Sequence, residues 1–309
     1  MDFCLGIDTS NYTTSLAAVE LGGGEVVSVR RLLETPTGHV GLRQSDAHFL
    51  HTKNLPELFS SLAEKLPKDA RIVRVGVSTR PRNAEGSYMP CFLAGVSAAH
   101  AASFSAGAEL FETSHQEGHI AAALYGCPEF PAKDVFYSMH LSGGTMELVR
   151  VKAGETGYET ELVSCTLDVT AGQLIDRIGV FMGLDFPCGR AITALAEQST
   201  KRLARVHLCV KEGGLNLSGL ENRAKQYLSD GEEKADVAAF LLSHVARAIA
   251  LLYEQTGKDA PLLLCGGVSA SSFLKTKLTD PNVYFTAPEL CTDNAVGVAL
   301  LAREKGALA

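Results

Sequence analysis

Two stretches of this chain read in nearly the same way. Residues 3–21, FCLGIDTSNYTTSLAAVEL, pass from apolar and β-branched residues through a polar turn and back into apolar residues. Residues 134–151, DVFYSMHLSGGTMELVRV, do the same, with glycine in the turn. Such a pattern predicts a strand, a tight turn and a second strand. Two hairpin starts about 130 residues apart, each followed by helix and strand, form a weak internal repeat. They predict two similar α/β lobes, 1–133 and 134–309, facing each other across a cleft.

The stretches between the hairpins fit that plan. EVVSVRRLL extends the first hairpin into a meander, and Asn54 to Leu66 has helical spacing. RIVRVGVS and AELFETS read as strands on either side of a small-residue helix from Cys91 to Phe104. The next helix carries His115 and His119. In the second half, ELVSCTLDV is a strand. Helices at Gly172 to Met182, Ala191 to Ala204 and Leu220 to Leu228 suggest a helical insertion at about 185–230. A long helix from Lys234 to Thr256 has one apolar face: Val237, Phe240, Leu241, His244, Val245, Ile249 and Leu252. Strand PLLLCGG, a helix from Ser271, strand NVYF and a helix from Asp293 close the chain.

Composition excludes several classes. At 46% hydrophobic and 20% charged, the 309 residues suit a globular protein with a large core. No uncharged apolar run reaches the roughly 20 residues of a membrane helix, and no basic leader precedes Phe3. Eight cysteines stand singly, none at CxxC spacing, which points to reduced thiols and a cytoplasmic location. The net charge of −7 offers a polyanion no global attraction, so nucleic-acid contact needs a local patch or a partner.

Three turns could hold phosphate. Asp8, Thr9 and Ser10 open the first polar turn, Ser142 to Thr145 form the second, and Gly266 and Gly267 end an apolar strand before a helix. Small hydroxyls and bare backbone amides suit an anion there. Each alone is equally what an ordinary hairpin or packing turn looks like. His115 and His119, four apart on a helix, place both imidazoles on one face within reach of one metal. Asp293 is the best acidic third ligand, and its plain alternative is a helix N-cap. Glu117 stands between the histidines, but HxxxH is not HExxH.

Taken in order, GIDTS, SHQEGH, LSGG, TAGQLIDRIGVFMGLDFPCG, LNLSGL, GGVSAS and LCTDNA resemble the TsaD/glycoprotease family of threonylcarbamoyl transferases nearly end to end. The resemblance implies the two-lobed ASKHA fold of actin, Hsp70 and hexokinase, with a helical insertion in the second lobe. It implies transfer of threonylcarbamoyl from threonylcarbamoyl-adenylate, or binding of ATP, with tRNA adenosine N6 beside the anticodon as acceptor. It implies one divalent metal, iron or zinc, on His115, His119 and Asp293. The substrate or nucleotide would contact His140, Leu141, Ser142, Gly143, Gly144, Asp176, Gly189 and Ser271. A paralogous ASKHA partner protein and a small ATPase are the implied partners, and no membrane is.

The chain departs from the family pattern at several places. Asn11, Tyr12 and Thr13 replace the acidic turn after the first motif, and Met146 follows Thr145 where the family has SGGHT. Gln173 replaces a glutamate, Ser271 an asparagine and Glu221 the lysine of SGLK. The loop TRPRNAEGSYMPC loses its GPG turn and gains Arg80 and Arg82. Two other readings therefore stand beside the transferase: a non-catalytic nucleotide-binding paralogue that scaffolds the complex, and, more remotely, a metalloendopeptidase.

Overall fold

The structure is a computed structural model, and it describes residues 1–10, 12–34, 42–131, 133–154, 157–211, 213–292 and 295–305. The chain groups into two units. One comprises Met1–Gly126 with Ala153–Glu159 and the C-terminal helix, and the other comprises Cys127–Lys152 with Thr160–Thr292.

The first unit is built on a five-stranded sheet. β1 (Asp2–Ser10) and β2 (Thr13–Glu20) form the expected antiparallel hairpin, and β3 (Val26–Leu32) pairs antiparallel with β2. β4 (Arg71–Arg80) and β5 (Glu109–Ser114) add in parallel on the other side, giving the order β3-β2-β1-β4-β5. Strand β1 is therefore central and buried along nearly its whole length. Phe3, Leu5, Ile7, Leu16, Val75 and Val77 meet Leu55, Leu58 and Leu62 in the core. Those three leucines lie on α1 (Gln44–Lys65), which starts ten residues before the expected Asn54. α2 (Phe92–Ala106) and α3 (His115–Tyr125) complete the set.

The second unit repeats the plan in a seven-stranded sheet. β6 (Val135–Leu141) and β7 (Met146–Gly154) form the antiparallel hairpin, followed by β8 (Gly157–Thr166). β9 (Val210–Lys211) and β10 (Gly214–Leu215) extend one edge. β11 (Leu262–Cys265) and β12 (Val283–Phe285) add in parallel beside β6. The order is β12-β11-β6-β7-β8-β10-β9. Without the β9/β10 extension, it matches the first sheet strand for strand, so the repeat read from two hairpins extends to whole sheets.

Helices α4 (Ala171–Phe181), α5 (Gly189–Ala196), α6 (Ser218–Ser229), α7 (Lys234–Glu254) and α8 (Ser272–Lys277) belong to this unit. By length and composition α7 is apolar enough to cross a bilayer, yet 72% of its apolar window is buried, and the seven residues of its expected apolar face all lie in the core.

Three expectations need correcting. The division falls at Gly126/Cys127, not at 133/134. α9 (Val296–Lys305), expected in the second lobe, packs on the first sheet, because Gly6 has no Cβ to meet the Ala295 carbonyl. The 185–230 insertion is only partly helical: α5 ends at Ala196, eight residues before the expected Ala204, and the two short strands β9 and β10 precede α6. A helix through Arg202 to Ala204 would need the run Ser199–Lys201 to continue it. Asp236 instead accepts from the Ser199 hydroxyl and from the amides of Thr200 and Lys201, which holds that run as a turn.

Candidate functional site

The two sets of expected residues lie in different units. In the first unit, Asp8 stands near the end of the central strand β1 and is fully buried. Its Oδ2 accepts from the Ser10 hydroxyl at 2.9 Å, and its Oδ1 accepts from the Ser78 hydroxyl on β4. The Nδ1 of His115 lies 3.0 Å from the same Oδ1. Beyond it, His119 Nε2 is 3.0 Å from His115 Nε2, with the two rings nearly perpendicular at 73°. The i, i+4 spacing thus does place both imidazoles on one face, with their ε nitrogens converging.

The start of α3 is fixed by its sequence. Ser114 is the N-cap: its hydroxyl accepts from the Glu117 amide, and the Glu117 carboxylate accepts from the Ser114 amide. Burial works against the Glu117 carboxylate, but hydrogen bonds from Ser114, Asn83 and Thr113 outweigh it and hold the group below the usual carboxylate range. Glu117 is therefore a helix-capping anion, which gives it a structural reason to stand between the histidines.

Asp8 and Thr9 were expected to open the polar turn, and the structure instead keeps them in β1. Both are strand residues with fully buried side chains. The Thr9 hydroxyl donates to the Cys91 carbonyl and accepts from the Gly95 amide, which ties β1 to α2. Ser10 is 4% exposed and serves Asp8. Asp293 lies outside the described residues, and among the described residues no group of three or more His, Cys, Asp or Glu side chains is placed to hold a metal ion.

In the second unit the expected residues form one connected surface. Leu141 ends β6, and Ser142 begins the turn with its amide donating to the Thr145 carbonyl at 2.8 Å. The Ser142 hydroxyl accepts from the amides of Gly144 and Thr145 at 3.3 and 3.0 Å, so the turn is closed by its own side chain. Gly143 and Gly144 are exposed. The turn rests on the N-terminus of α4: the Gly172 amide donates to the Ser142 carbonyl, and the Thr170 hydroxyl donates to the Gly143 carbonyl at 3.0 Å. A Cβ on Gly172 would lie 2.5 Å from the Gly143 nitrogen, so this approach requires glycine. Gly266, with φ of 91°, packs in the same way against Leu141.

From α4 the surface continues to α5. Asp176 Oδ1 accepts from the Cys188 amide at 2.8 Å, which sets the exposed Gly189 at the start of α5. Burial pushes the Asp176 carboxyl above its ordinary range, and the Cys188 amide offsets part of that rise. Thr193, one turn along α5, donates to the Ser271 hydroxyl at 2.9 Å, and Ser271 is the N-cap of α8. His140 is half-buried on β6, its Nδ1 3.9 Å from the Cys265 thiol.

Two supporting residues, Thr170 and Asp168, were not singled out from the sequence. Thr170 and Gln173 form a capping box on α4, so the glutamate-to-glutamine change keeps the cap without its charge. Asp168 accepts from the amides of Val169, Leu217 and Ser218 and so pins LNLSGL. The TxxQ spacing announced the first of these; nothing local to Asp168 announced the second. In the rewritten loop, Arg80 Nε donates to Asn83 Oδ1 at 3.0 Å and the Gln116 amide donates to the Pro81 carbonyl, which seats the loop on the start of α3.

Comparisons with known proteins agree with the fold. A family model described as TsaD, tRNA N6-adenosine threonylcarbamoyltransferase, matches residues 25–300. Component A of the (R)-2-hydroxyglutaryl-CoA dehydratase of Acidaminococcus fermentans superposes with a TM-score of 0.57 at 17% identity, covering 99% of this chain and 100% of that one. The activator of the 2-hydroxyisocaproyl-CoA dehydratase of Clostridium difficile, solved with bound ADPNP, gives 0.55 at 14% identity, with coverages of 99% and 96%. Full-length HypF in its phosphate- and nucleotide-bound form gives 0.55 at 12% identity over 98% of this chain and 46% of that one. The fold is the ASKHA fold.

Proposed function

The chain belongs to the tRNA N6-adenosine threonylcarbamoyltransferase family, and on that premise we propose that it moves a threonylcarbamoyl group, or a closely related carbamoyl-type group, from an adenylate to an amine acceptor. The family acceptor is N6 of the tRNA adenosine beside the anticodon. The observation that supports this reading is the connected surface of the second unit, in which the Ser142–Thr145 turn, Asp176, Gly189 and Ser271 are joined through α4 and α5.

Each part has a task in that reading. The exposed tip of the turn brings the Gly143 amide to the carbamoyl carbonyl or the adenylate phosphate as charge develops there. A carboxylate accepts several hydrogen bonds, so Asp176 retains capacity for a ribose hydroxyl beyond the Cys188 amide. Gly189 admits the nucleoside without a side chain. Two of the structural neighbours were solved with nucleotide, which supports the adenylate assignment.

The family also implies iron or zinc, and the donor chemistry of the first unit fits. Metal–imidazole bonds run about 2.0–2.1 Å, so two ε nitrogens 3.0 Å apart can share one ion. His115 and His119 would supply two ligands and Asp293 the third. Such an ion supplies Lewis acidity toward phosphate or carbamoyl oxygens. With a net charge of −7, tRNA engagement would draw on a paralogous partner, with a small ATPase completing a cytoplasmic assembly.

The test is nucleoside analysis of tRNA from a strain in which this chain is the single family member and has been deleted. Loss of the threonylcarbamoyl adenosine, restored by the wild-type chain but not by a Gly143→Asp variant, is expected. Unchanged modification would refute the reading.

A further inference from the structure

We propose that Asp8 is a positioning residue for His115: its buried carboxylate holds the imidazole in the Nδ1–H tautomer and thereby presents the Nε2 lone pair beside His119. This rests on the metal reading for its use, but not for its geometry.

An ionised carboxylate only accepts hydrogen bonds. With Asp8 Oδ1 at 3.0 Å from His115 Nδ1, the proton of that bond sits on the ring nitrogen. In a neutral imidazole the other nitrogen then carries a lone pair. The Nε2 so prepared is the atom that stands 3.0 Å from His119 Nε2.

The carboxylate is itself held from two strands. Ser10 on β1 donates to Oδ2 and Ser78 on β4 donates to Oδ1, so neither oxygen can swing toward the surface. Asp8 is fully buried, and β1 is the central strand of its sheet, so the support is rigid. Backing of this kind behind a ligating histidine raises its basicity, fixes its ring, and is typically worth 10- to 100-fold in metal affinity.

The experiment uses the full chain with 15N-labelled histidine, first metal-free and then with zinc, alongside Asp8→Ala, Asp8→Asn and Ser78→Ala. Long-range 1H–15N spectra report the His115 tautomer, and competition with a chromogenic chelator reports zinc affinity. The wild type is expected to show His115 protonated at Nδ1 in the metal-free state. Asp8→Ala should convert it to an Nε2–H or mixed tautomer and weaken zinc binding by about 10- to 100-fold. Ser78→Ala keeps the carboxylate and should keep the tautomer. If Asp8→Ala does not fold, the isosteric Asp8→Asn carries the same two readouts. Retention of the Nδ1–H tautomer in the Asp8 variant, or wild-type zinc affinity there, overturns the proposal. If the wild type binds no zinc, the metal reading falls, and the tautomer alone decides the role of Asp8.

Discussion

Replacing Gly172 by alanine separates nucleotide binding from folding. An added Cβ would stand 2.5 Å from the nitrogen of Gly143 and from the carbonyl carbon and oxygen of Ser142, all of them backbone atoms. Non-bonded heavy atoms prefer about 3.5–4.0 Å, so the turn must retreat from α4 by about 1 Å. Overpacking of this kind costs about 1–3 kcal/mol, and alanine returns up to about 1 kcal/mol of helix propensity. Because all three atoms are backbone, the cost lies at the upper end, and the net loss of folding stability should be about 2 kcal/mol, as a fall in the urea midpoint would show. Binding should suffer too, because the Gly172–Ser142 and Thr170–Gly143 hydrogen bonds that seat the turn are stretched together. A 10- to 100-fold weaker affinity for ADP or a non-hydrolysable ATP analogue is expected by calorimetry, corresponding to about 1.4–2.8 kcal/mol. Gly219→Ala is the matched control, since a methyl group there meets open space in the first turn of α6. Wild-type affinity in Gly172→Ala, at a reduced urea midpoint, would show that the turn moved and that nucleotide does not depend on it.

Two further outcomes follow from buried charge. Glu221, whose side chain is 12% exposed, pairs with Arg177 at 3.0 Å and Lys225 at 2.6 Å. Glu221→Lys, a change toward the family residue, would gather three cations and should cost about 2 kcal/mol after allowance for the exposure of its partners, with Arg177→Glu in the same chain recovering much of it. His51 is fully buried, and burial lowers its pKa to about 4 from 6.5 against the opposing field of Asp8. Because the folded value lies below the unfolded one, the neutral ring contributes stability above pH 6.5 that is lost as pH falls toward 4. About 2 kcal/mol should be gone by pH 5. Urea titrations of His51→Asn at pH 7 and pH 5 should show a smaller acid loss than the wild type, and equal losses would contradict the assignment.

How far the sequence reaches depends on where the information is stored. The hairpins were legible because alternation and turn residues are local properties, and the repeat they announced extends to the order of both sheets. That His115 and His119 share one face was legible for the same reason, since helical spacing puts both imidazoles on one side of α3. The role of Asp8 was not. A polar residue next to a turn looks alike whether it faces solvent or the interior. Only the pairing of β1 with β4, seventy residues away in sequence, brings the Ser78 hydroxyl onto its carboxylate. The swap of α9 onto the first sheet is hidden in the same way, because Gly6 reads as an ordinary strand residue until a helix almost three hundred residues later needs the space of its missing side chain. The departures from the family pattern divide along this line too. Gln173 keeps the capping box that local spacing demands, and Glu221 has a local i, i+4 partner in Lys225, whereas its second partner, Arg177, stands on another helix. A substitution that looks like loss of a lysine in isolation is, in the folded chain, the shared partner of two cations, Arg177 and Lys225.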